Sequence, residues 1–282
     1  MGGNSRSSNG LVLLMSKFSR GIRQRTCPRA ARPAALLAIV LALAGCGEAL
    51  PAATTQPAPT TPSTPSDQGQ PAPRATAPPR PAGGTGLATF RKVFDQPRTA
   101  DGKPLTFFLG GQFCPFCAAM RWPLVKALGR FGTFSGLGEM HSKNGSDGFG
   151  SIATYDFAHA TYQSDLLTFQ SVEAADANGN PLQQPSSEQN SLINRFDPNG
   201  SIPFVFLAGQ DLAQLPYSPG LLVGKSFGEI NAEVNAVAPG EIGKAVNAEA
   251  DAMTAVVCKT TGGKPAEACF QPAIQALIQQ AP

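Results

Sequence analysis

Beyond residue 87, the apolar residues recur in short runs that predict buried strands and amphipathic helices. The uninterrupted run from Leu105 to Leu109 predicts a buried strand, and the two glycines that follow it predict a turn. From Cys114 to about Phe131, apolar residues at helical spacing predict a helix, which Pro123 interrupts. A second buried strand is predicted directly after the Ile202–Pro203 pair.

The other elements are predicted from weaker patterns. Residues 87–94 fit either a strand or a short helix. Strands are predicted over 134–140, 155–159 and 161–169, a loop over 173–184, and helices over 227–238, 240–258 and 266–280. By its length, the region 87–282 is predicted to be one domain.

Two cysteines, in Cys114-Pro-Phe-Cys117, stand where the predicted turn opens the predicted helix. A thiol at a helix N-terminus faces unpaired N–H groups and the positive end of the helix dipole, which favour the thiolate and lower the thiol pKa. Cys114 is therefore predicted to be the exposed, attacking sulfur, and Cys117 the resolving sulfur. Pro115 suits the first helical turn because its missing N–H costs nothing there.

This segment resembles the active-site segment of the thioredoxin superfamily, and its Cys-Pro-Phe-Cys is close to the Cys-Pro-Tyr-Cys of glutaredoxins. More narrowly, Gly111-Gln-Phe-Cys-Pro-Phe-Cys-Ala-Ala-Met-Arg-Trp122 and Ala127-Leu-Gly-Arg-Phe-Gly-Thr-Phe-Ser-Gly-Leu137 resemble the thioredoxin-like family of domain of unknown function 929. The resemblance runs from about residue 87 to the C-terminus. It implies an α/β, thioredoxin-like fold: a central mixed sheet flanked by helices, with an insertion between the cysteine-bearing helix and the strand after Pro203.

The resemblance also implies thiol–disulfide exchange by Cys114 and Cys117, with no cofactor and no metal. In thioredoxin-like proteins the strand beside the redox pair begins after a cis-proline, so Pro203 is predicted to be cis and to dock the backbone of an extended substrate. The alternative is a proline that opens an ordinary strand. The substrate surface is predicted to include the residues that flank these positions, namely Phe113, Pro115, Phe116 and Ile202.

One departure from the superfamily concerns a buried acid. Thioredoxins place an acidic residue in the strand beneath the redox pair to manage protons, and the stretch from Leu105 to Leu109 contains none. This departure weakens the expectation of thioredoxin-like reducing activity and leaves exchange chemistry in place. Oxidase, isomerase and reductase all remain open.

The first 45 residues have the pattern of a secretory signal peptide. They contain seven basic residues and no acidic residue, and the apolar run from Ala34 to Ala44 is too short to span a bilayer comfortably. The run ends in Leu43-Ala-Gly-Cys46, which resembles a bacterial lipobox and implies cleavage before Cys46 and lipidation of that cysteine. An ordinary cleaved signal with an incidental cysteine is the alternative. Translation from Met15 is an alternative to a start at Met1.

The net charge of the chain changes sign once the predicted signal peptide is removed. The whole chain carries 22 basic and 19 acidic residues, so losing the seven basic residues of the signal takes the formal charge from +3 to −4. This balance argues against a nucleic-acid partner. Residues 46–86 are rich in Pro, Ala and Thr and predict a disordered tether that holds the domain off the outer face of the cell membrane.

Of the other three cysteines, Cys27 lies in the predicted signal peptide. Cys258 and Cys269 are predicted to form a structural disulfide, because disulfides persist in exported domains. Zinc is the competing explanation. The two cysteine pairs lie about 140 residues apart, however, and ten residues separate Cys258 from Cys269, which is not a common zinc-ligand spacing.

Two functions follow from these observations. The first is a membrane-tethered thiol–disulfide oxidoreductase outside the cytoplasm, acting on exported protein thiols or disulfides with an unknown redox partner. The second is a non-catalytic, thioredoxin-like binding or structural lipoprotein in which the bond between Cys114 and Cys117 is architectural. The intact cysteine pair and the Ile202–Pro203 pair favour the first function.

Overall fold

The computed structural model describes residues 86–143 and 148–281. The predicted signal peptide over 1–45, the predicted lipidation site at Cys46 and all but the last residue of the predicted tether lie outside them. The described strands are β1 (Phe90–Lys92), β2 (Thr99–Ala100), β3 (Lys103–Gly110), β4 (Thr133–Ser135), β5 (Gly138–His141), β6 (Ala153–Asp156), β7 (Thr161–Gln163), β8 (Thr168–Glu173), β9 (Phe204–Leu207) and β10 (Asp211–Ala213). The described α-helices are α1 (Pro115–Leu128), α2 (Ser187–Phe196), α3 (Phe227–Val234), α4 (Glu241–Thr260), α5 (Ala266–Cys269) and α6 (Pro272–Ile278).

The protein has a mixed α/β fold with a central mixed sheet flanked by helices, as the sequence predicted. The sheet runs in the order β1-β10-β9-β3-β2, and β8 also pairs with β3. Strand β3 is antiparallel to β9 and parallel to β8. Its last six residues are all buried, which explains why its sequence is an uninterrupted apolar run.

Helix α1 is buried on two sides, and this decides the environment of the cysteines at its start. Met120 and Leu124 belong to the apolar cluster that includes the central sheet. Ala119 and Trp122 belong to a second cluster with Ile230 of α3 and residues of α4. A helix packed on both sides carries apolar residues nearly all round, so its hydrophobic pattern is less one-sided than that of a surface helix.

Several boundaries differ from the predictions for local reasons. The predicted strand over 134–140 is two strands, β4 and β5, because Gly136 between them adopts a positive φ of 70°. The predicted strand over 161–169 is also two strands, separated by a turn in which the Ser164 hydroxyl accepts hydrogen bonds from the backbone of Leu166 and Leu167. The stretch 87–94 holds the end of a 3-10 helix and then β1.

Two helical predictions need correction. The predicted helix over 266–280 is two helices, since Pro272 lacks an N–H and begins a new helix at its first turn. Helix α2 was not predicted at all. Its sequence does contain a start signal, a capping box in which Ser186 and Gln189 satisfy each other's backbone N–H groups. Among the described helices, none is both long enough and apolar enough to cross a membrane.

The predicted disulfide between Cys258 and Cys269 is confirmed. It joins the last turns of α4 to α5 across a sequence separation of 11 residues, and both sulfurs are buried. We expect the Cys258→Ala/Cys269→Ala variant to lose about 3 kcal/mol of unfolding free energy, because the bond restricts the unfolded chain. Urea unfolding of the variant and the unaltered chain measures the difference. A loss below about 1 kcal/mol would contradict this prediction.

Helix α4 carries a buried carboxyl group, that of Glu249. Neither oxygen of Glu249 has a hydrogen-bond partner among the described residues, and burial raises the pKa of this carboxyl well above its usual value. The folded state therefore binds the proton more tightly than the unfolded state. Tighter proton binding at Glu249 stabilises the folded state fully below the unfolded-state pKa of about 4.3. This stabilisation is lost as the pH rises through the folded-state pKa.

We therefore expect Glu249→Gln to be more stable than the unaltered chain at pH 8 by about 1–3 kcal/mol. The difference should shrink towards zero near pH 4, where Glu249 is protonated in both states. Urea unfolding of both chains at the two pH values measures this. A difference that is the same at both values would show that ionisation of Glu249 is not the cause.

Candidate active site at the Cys114–Cys117 pair

The cysteine pair sits where β3 passes into α1. Cys114 is the N-cap of α1, and its Sγ accepts a hydrogen bond from the backbone N of Cys117 at 3.3 Å. Pro115 occupies the first helical turn, where no N–H is needed. The sulfur thus takes the place of the side-chain oxygen that usually caps a helix. It accepts a hydrogen bond from one of the N–H groups that have no partner within the helix.

The glycines before the pair allow the chain to approach it closely. A Cβ at Gly110 would lie 2.5 Å from the ring of Phe108 and 3.4 Å from Cys117 Sγ. A Cβ at Gly111 would lie 2.6 Å from the ring of Phe113. A side chain at either position would therefore have to displace an aromatic ring, that of Phe108 or that of Phe113.

The sheet brings Ile202 and Pro203 to the same place. The Ile202–Pro203 peptide bond is cis, and β9 begins at the next residue. Because Phe204 of β9 pairs with Leu109 of β3, the loop before β9 is held at the end of β3 where the cysteines lie. Cys114 Sγ is 4.0 Å from the carbonyl oxygen of Ile202.

The prediction that Cys114 is exposed was wrong. Both Cys114 and Cys117 are free thiols, and the accessible surface of each is 0 %. The reason is tertiary: α1 is packed on two sides, and the Cys114 sulfur points back to the helix terminus and towards Ile202 instead of out to water.

The two thiols differ in acidity. Burial is the largest influence on Cys114 and raises its pKa, but hydrogen bonds from Cys117 and the charge of Arg121 outweigh it, so the pKa of Cys114 is lowered. At Cys117, burial and the neighbouring Cys114 both raise the pKa, which lies well above its usual value. Cys114 is therefore the sulfur that ionises, and Cys117 is the sulfur that holds its proton.

A buried ion pair, which the sequence analysis missed, lies beside the cysteines. Arg121 Nε is 3.0 Å from Glu173 Oε1, and Arg121 Nη2 is 2.7 Å from Glu173 Oε2 and 3.2 Å from the carbonyl oxygen of Gly111. Both side chains are completely buried. Strand β3 contains no acidic residue, whereas β8 supplies one in Glu173, which pairs with Gly110.

The spacing of residues along the chain predicts the position of Arg121 but not that of Glu173. Arg121 follows Cys117 by four residues, so it lies one helical turn further along α1 and near the same face. Glu173 is 52 residues away and reaches the site only through the pairing of β8 with β3. Burial raises the pKa of the Glu173 carboxyl, and the charge of Arg121 acts in the opposite direction.

A mainly apolar cavity of about 740 Å³ reaches Phe116 and Pro203, the sequence neighbours of Cys117 and Ile202, while the two cysteines themselves do not line it. Of the predicted substrate-contacting residues, Phe116 lines it, together with Pro203, whereas Phe113 is half-buried near Gly111. Pro115 and Ile202 are buried and do not line it. The cavity also contains aromatic residues that the sequence did not single out, of which Phe149 packs edge to face on Phe116 at 5.4 Å.

Comparison with known families bears on this same region. Residues 89–200 match the family model described as Domain of unknown function (DUF929). The match supports the family to which the sequence pointed, and it spans Cys114, Cys117, Arg121 and Glu173. It ends before Pro203, whereas the resemblance was predicted to continue to the C-terminus. No curated protein and no solved structure matches the chain.

Proposed function

We propose that the protein is a membrane-tethered, extracytoplasmic thiol–disulfide oxidoreductase that uses Cys114 and Cys117. The observation that carries the proposal is the contrast between the two thiols: Cys114 caps α1 and has a lowered pKa, whereas Cys117 has a raised one. A pair with one ionised attacking sulfur and one protonated resolving sulfur is what exchange through a mixed disulfide needs.

A thioredoxin-like fold is part of the proposal. It is supported by a buried strand that leads into the cysteine-bearing helix, and by an antiparallel strand that begins after the Ile202–Pro203 bond beside Cys114. Strands β4 to β8 and helix α2 lie between α1 and β9 in the chain and account for the proposed insertion. This arrangement presents the cysteines and the Ile202 carbonyl at the same end of β3.

The chemistry follows from the two sulfurs. Starting from the reduced pair, Cys114 thiolate attacks one sulfur of a substrate disulfide, and the other substrate sulfur leaves as a thiolate, which takes up a proton from water. Cys117 then loses its proton and attacks Cys114 Sγ, which forms the Cys114–Cys117 bond and releases the second substrate thiol. In the opposite direction the same steps oxidise a substrate dithiol. No step requires a cofactor.

The cavity beside the pair is the proposed substrate surface. Its aromatic residues Phe116 and Phe149 offer apolar contact area, and Arg91 and Asp197 at its border offer charges of both signs. A polypeptide segment with an apolar side chain next to its cysteine fits this combination. Exported proteins are the proposed source of such segments, because we also propose that Cys46 is lipidated and anchors the domain outside the cell membrane.

A non-catalytic binding or structural lipoprotein is the second candidate. Complete burial of Cys114 favours it, because a sulfur with no accessible surface meets a substrate only after its covering side chains move. In this case the cavity would bind a partner, and the cysteines would stabilise the start of α1.

Equilibration with glutathione tests the proposal. The chain from residue 47 onward is incubated in mixtures of reduced and oxidised glutathione, and the redox state of Cys114–Cys117 is read by thiol trapping and mass spectrometry. We expect a reduction potential well above the value of about −300 mV below which structural disulfides lie. The Cys258→Ala/Cys269→Ala variant lacks the second disulfide, so its mass spectrum shows which signals come from Cys114 and Cys117. A pair that never exchanges would support the binding protein instead.

A further inference from the structure

We propose that the buried Arg121–Glu173 pair makes the Cys114–Cys117 disulfide an oxidant of substrate thiols, because Arg121 stabilises the thiolate of the reduced form. This inference rests on the proposed function and adds the direction of electron flow and the class of substrate, a reduced protein dithiol. Arg121 and Glu173 are positioning residues that act on the sulfurs through their charges.

The first support is the free-energy cost of burying the two charges of the Arg121–Glu173 pair. Both side chains are completely buried, and a buried ion pair is weak evidence for stability, since apolar residues of similar volume are often as good. Arg121 also carries a spare donor, because Nη1 is buried and has no hydrogen-bond partner among the described residues. The rings of Phe108 and Phe157 lie 5.6 and 5.8 Å from its guanidinium carbon. Such an environment excludes water and leaves the charge unscreened.

The second support is the place of the two charges relative to the sulfurs. Arg121 lies one turn beyond Cys117 on α1, and its Nη2 donates to Gly111, three residues before Cys114. Glu173 pairs with Gly110, where an added Cβ would lie 3.4 Å from Cys117 Sγ. The positive charge of Arg121 lowers the pKa of both thiols, and the negative charge of Glu173 raises the pKa of Cys117. Cys114, whose pKa is lowered, is the thiol that gains from the positive charge.

The redox consequence follows from the charge states. A substrate thiolate attacks Cys114 Sγ, the Cys114–Cys117 bond breaks, and Cys117 leaves and takes up a proton. The second substrate thiolate then attacks the substrate sulfur of the mixed disulfide, which completes the substrate disulfide and releases Cys114 as a thiolate. The reduced protein thus gains a negative charge beside Arg121, while the disulfide form has none. Stabilising the reduced form makes the disulfide the stronger oxidant. A second disulfide-bearing molecule must reoxidise the pair.

The test compares the equilibrium constant with glutathione for charge variants of the chain from residue 47 onward. Arg121→Met/Glu173→Leu removes both charges and leaves neither unpaired, and we expect its disulfide to be about tenfold harder to reduce, a shift of about 30 mV to lower potential. Glu173→Gln leaves Arg121 without a counter-charge, and we expect its disulfide to be easier to reduce than the unaltered one. The pKa of Cys114, read from thiolate absorbance in the reduced chain, should rise in the first variant and fall in the second.

A matched control removes another ion pair close to α1. Arg130 Nη2 is 2.6 Å from Asp251, and both side chains are partly exposed. Arg130→Met/Asp251→Leu should leave the equilibrium constant within about twofold of the unaltered chain, because exposed charges are screened.

The outcomes separate this inference from the function on which it rests. If the unaltered chain exchanges and the folded charge variants keep its equilibrium constant and its Cys114 pKa, the inference is overturned and the proposed function stands. If the double variant fails to fold, Glu173→Gln alone tests the inference, through its equilibrium constant with glutathione and the pKa of its Cys114. A chain whose cysteines never exchange overturns both proposals.

Discussion

Replacing Cys114 by serine is expected to abolish thiol–disulfide exchange, with a loss of at least about 1,000-fold in the rate of mixed-disulfide formation. Cys114 is the sulfur with the lowered pKa, and its Sγ lies 4.0 Å from the Ile202 carbonyl oxygen. Cys117 does not replace it, because burial raises the pKa of Cys117 and it lies one turn deeper in α1. The rate is measured with a disulfide-bonded peptide whose released thiol is detected.

The matched variant is Cys117→Ser, which keeps the attacking sulfur and removes the resolving one. We expect it to form the first mixed disulfide and then to accumulate it, since no second thiol lies nearby among the described residues. Trapped complexes are counted by mass spectrometry of the intact chain. If Cys117→Ser loses reactivity and Cys114→Ser retains it, the roles assigned to the two sulfurs are reversed.

Replacing Arg121 alone is expected to destabilise the protein by about 3–5 kcal/mol, because Arg121→Met leaves the Glu173 carboxylate buried without its partner. Arg121 supplies two of the hydrogen bonds to that carboxylate. The double variant Arg121→Met/Glu173→Leu should recover most of the loss, since neither charge is then left uncompensated. Urea unfolding of the single variant, the double variant and the unaltered chain gives the three free energies.

The destabilisation by Arg121→Met should depend on pH. Burial already raises the pKa of Glu173, and the opposing influence of Arg121 disappears in the variant. A raised folded-state pKa means that the folded variant is most stable below the unfolded-state pKa, about 4.3, and loses stability as the pH rises above it. The loss relative to the unaltered chain should therefore be smaller at pH 4.5 than at pH 8. An equal loss at both values would mean that Arg121 stabilises the fold by packing alone.

Local interactions account for the features that the sequence predicted correctly. The buried strand before the cysteines, the helix after them and the capping position of Cys114 depend on residues within a few positions of each other. The disulfide of Cys258 and Cys269 also spans a short loop. In each case the pattern of residue types is sufficient, because the interacting groups are neighbours in the chain.

Features that depend on distant residues could not be predicted from a pattern. The sequence indicated a thiol at a helix terminus with a lowered pKa, and it indicated which cysteine would have it. It did not indicate that Cys114 has no accessible surface, since that follows from the packing of α1 between the sheet and the α3–α4 side. It also could not pair Arg121 with Glu173, because 52 residues separate them and only the parallel pairing of β8 with β3 brings the carboxylate to the sulfurs.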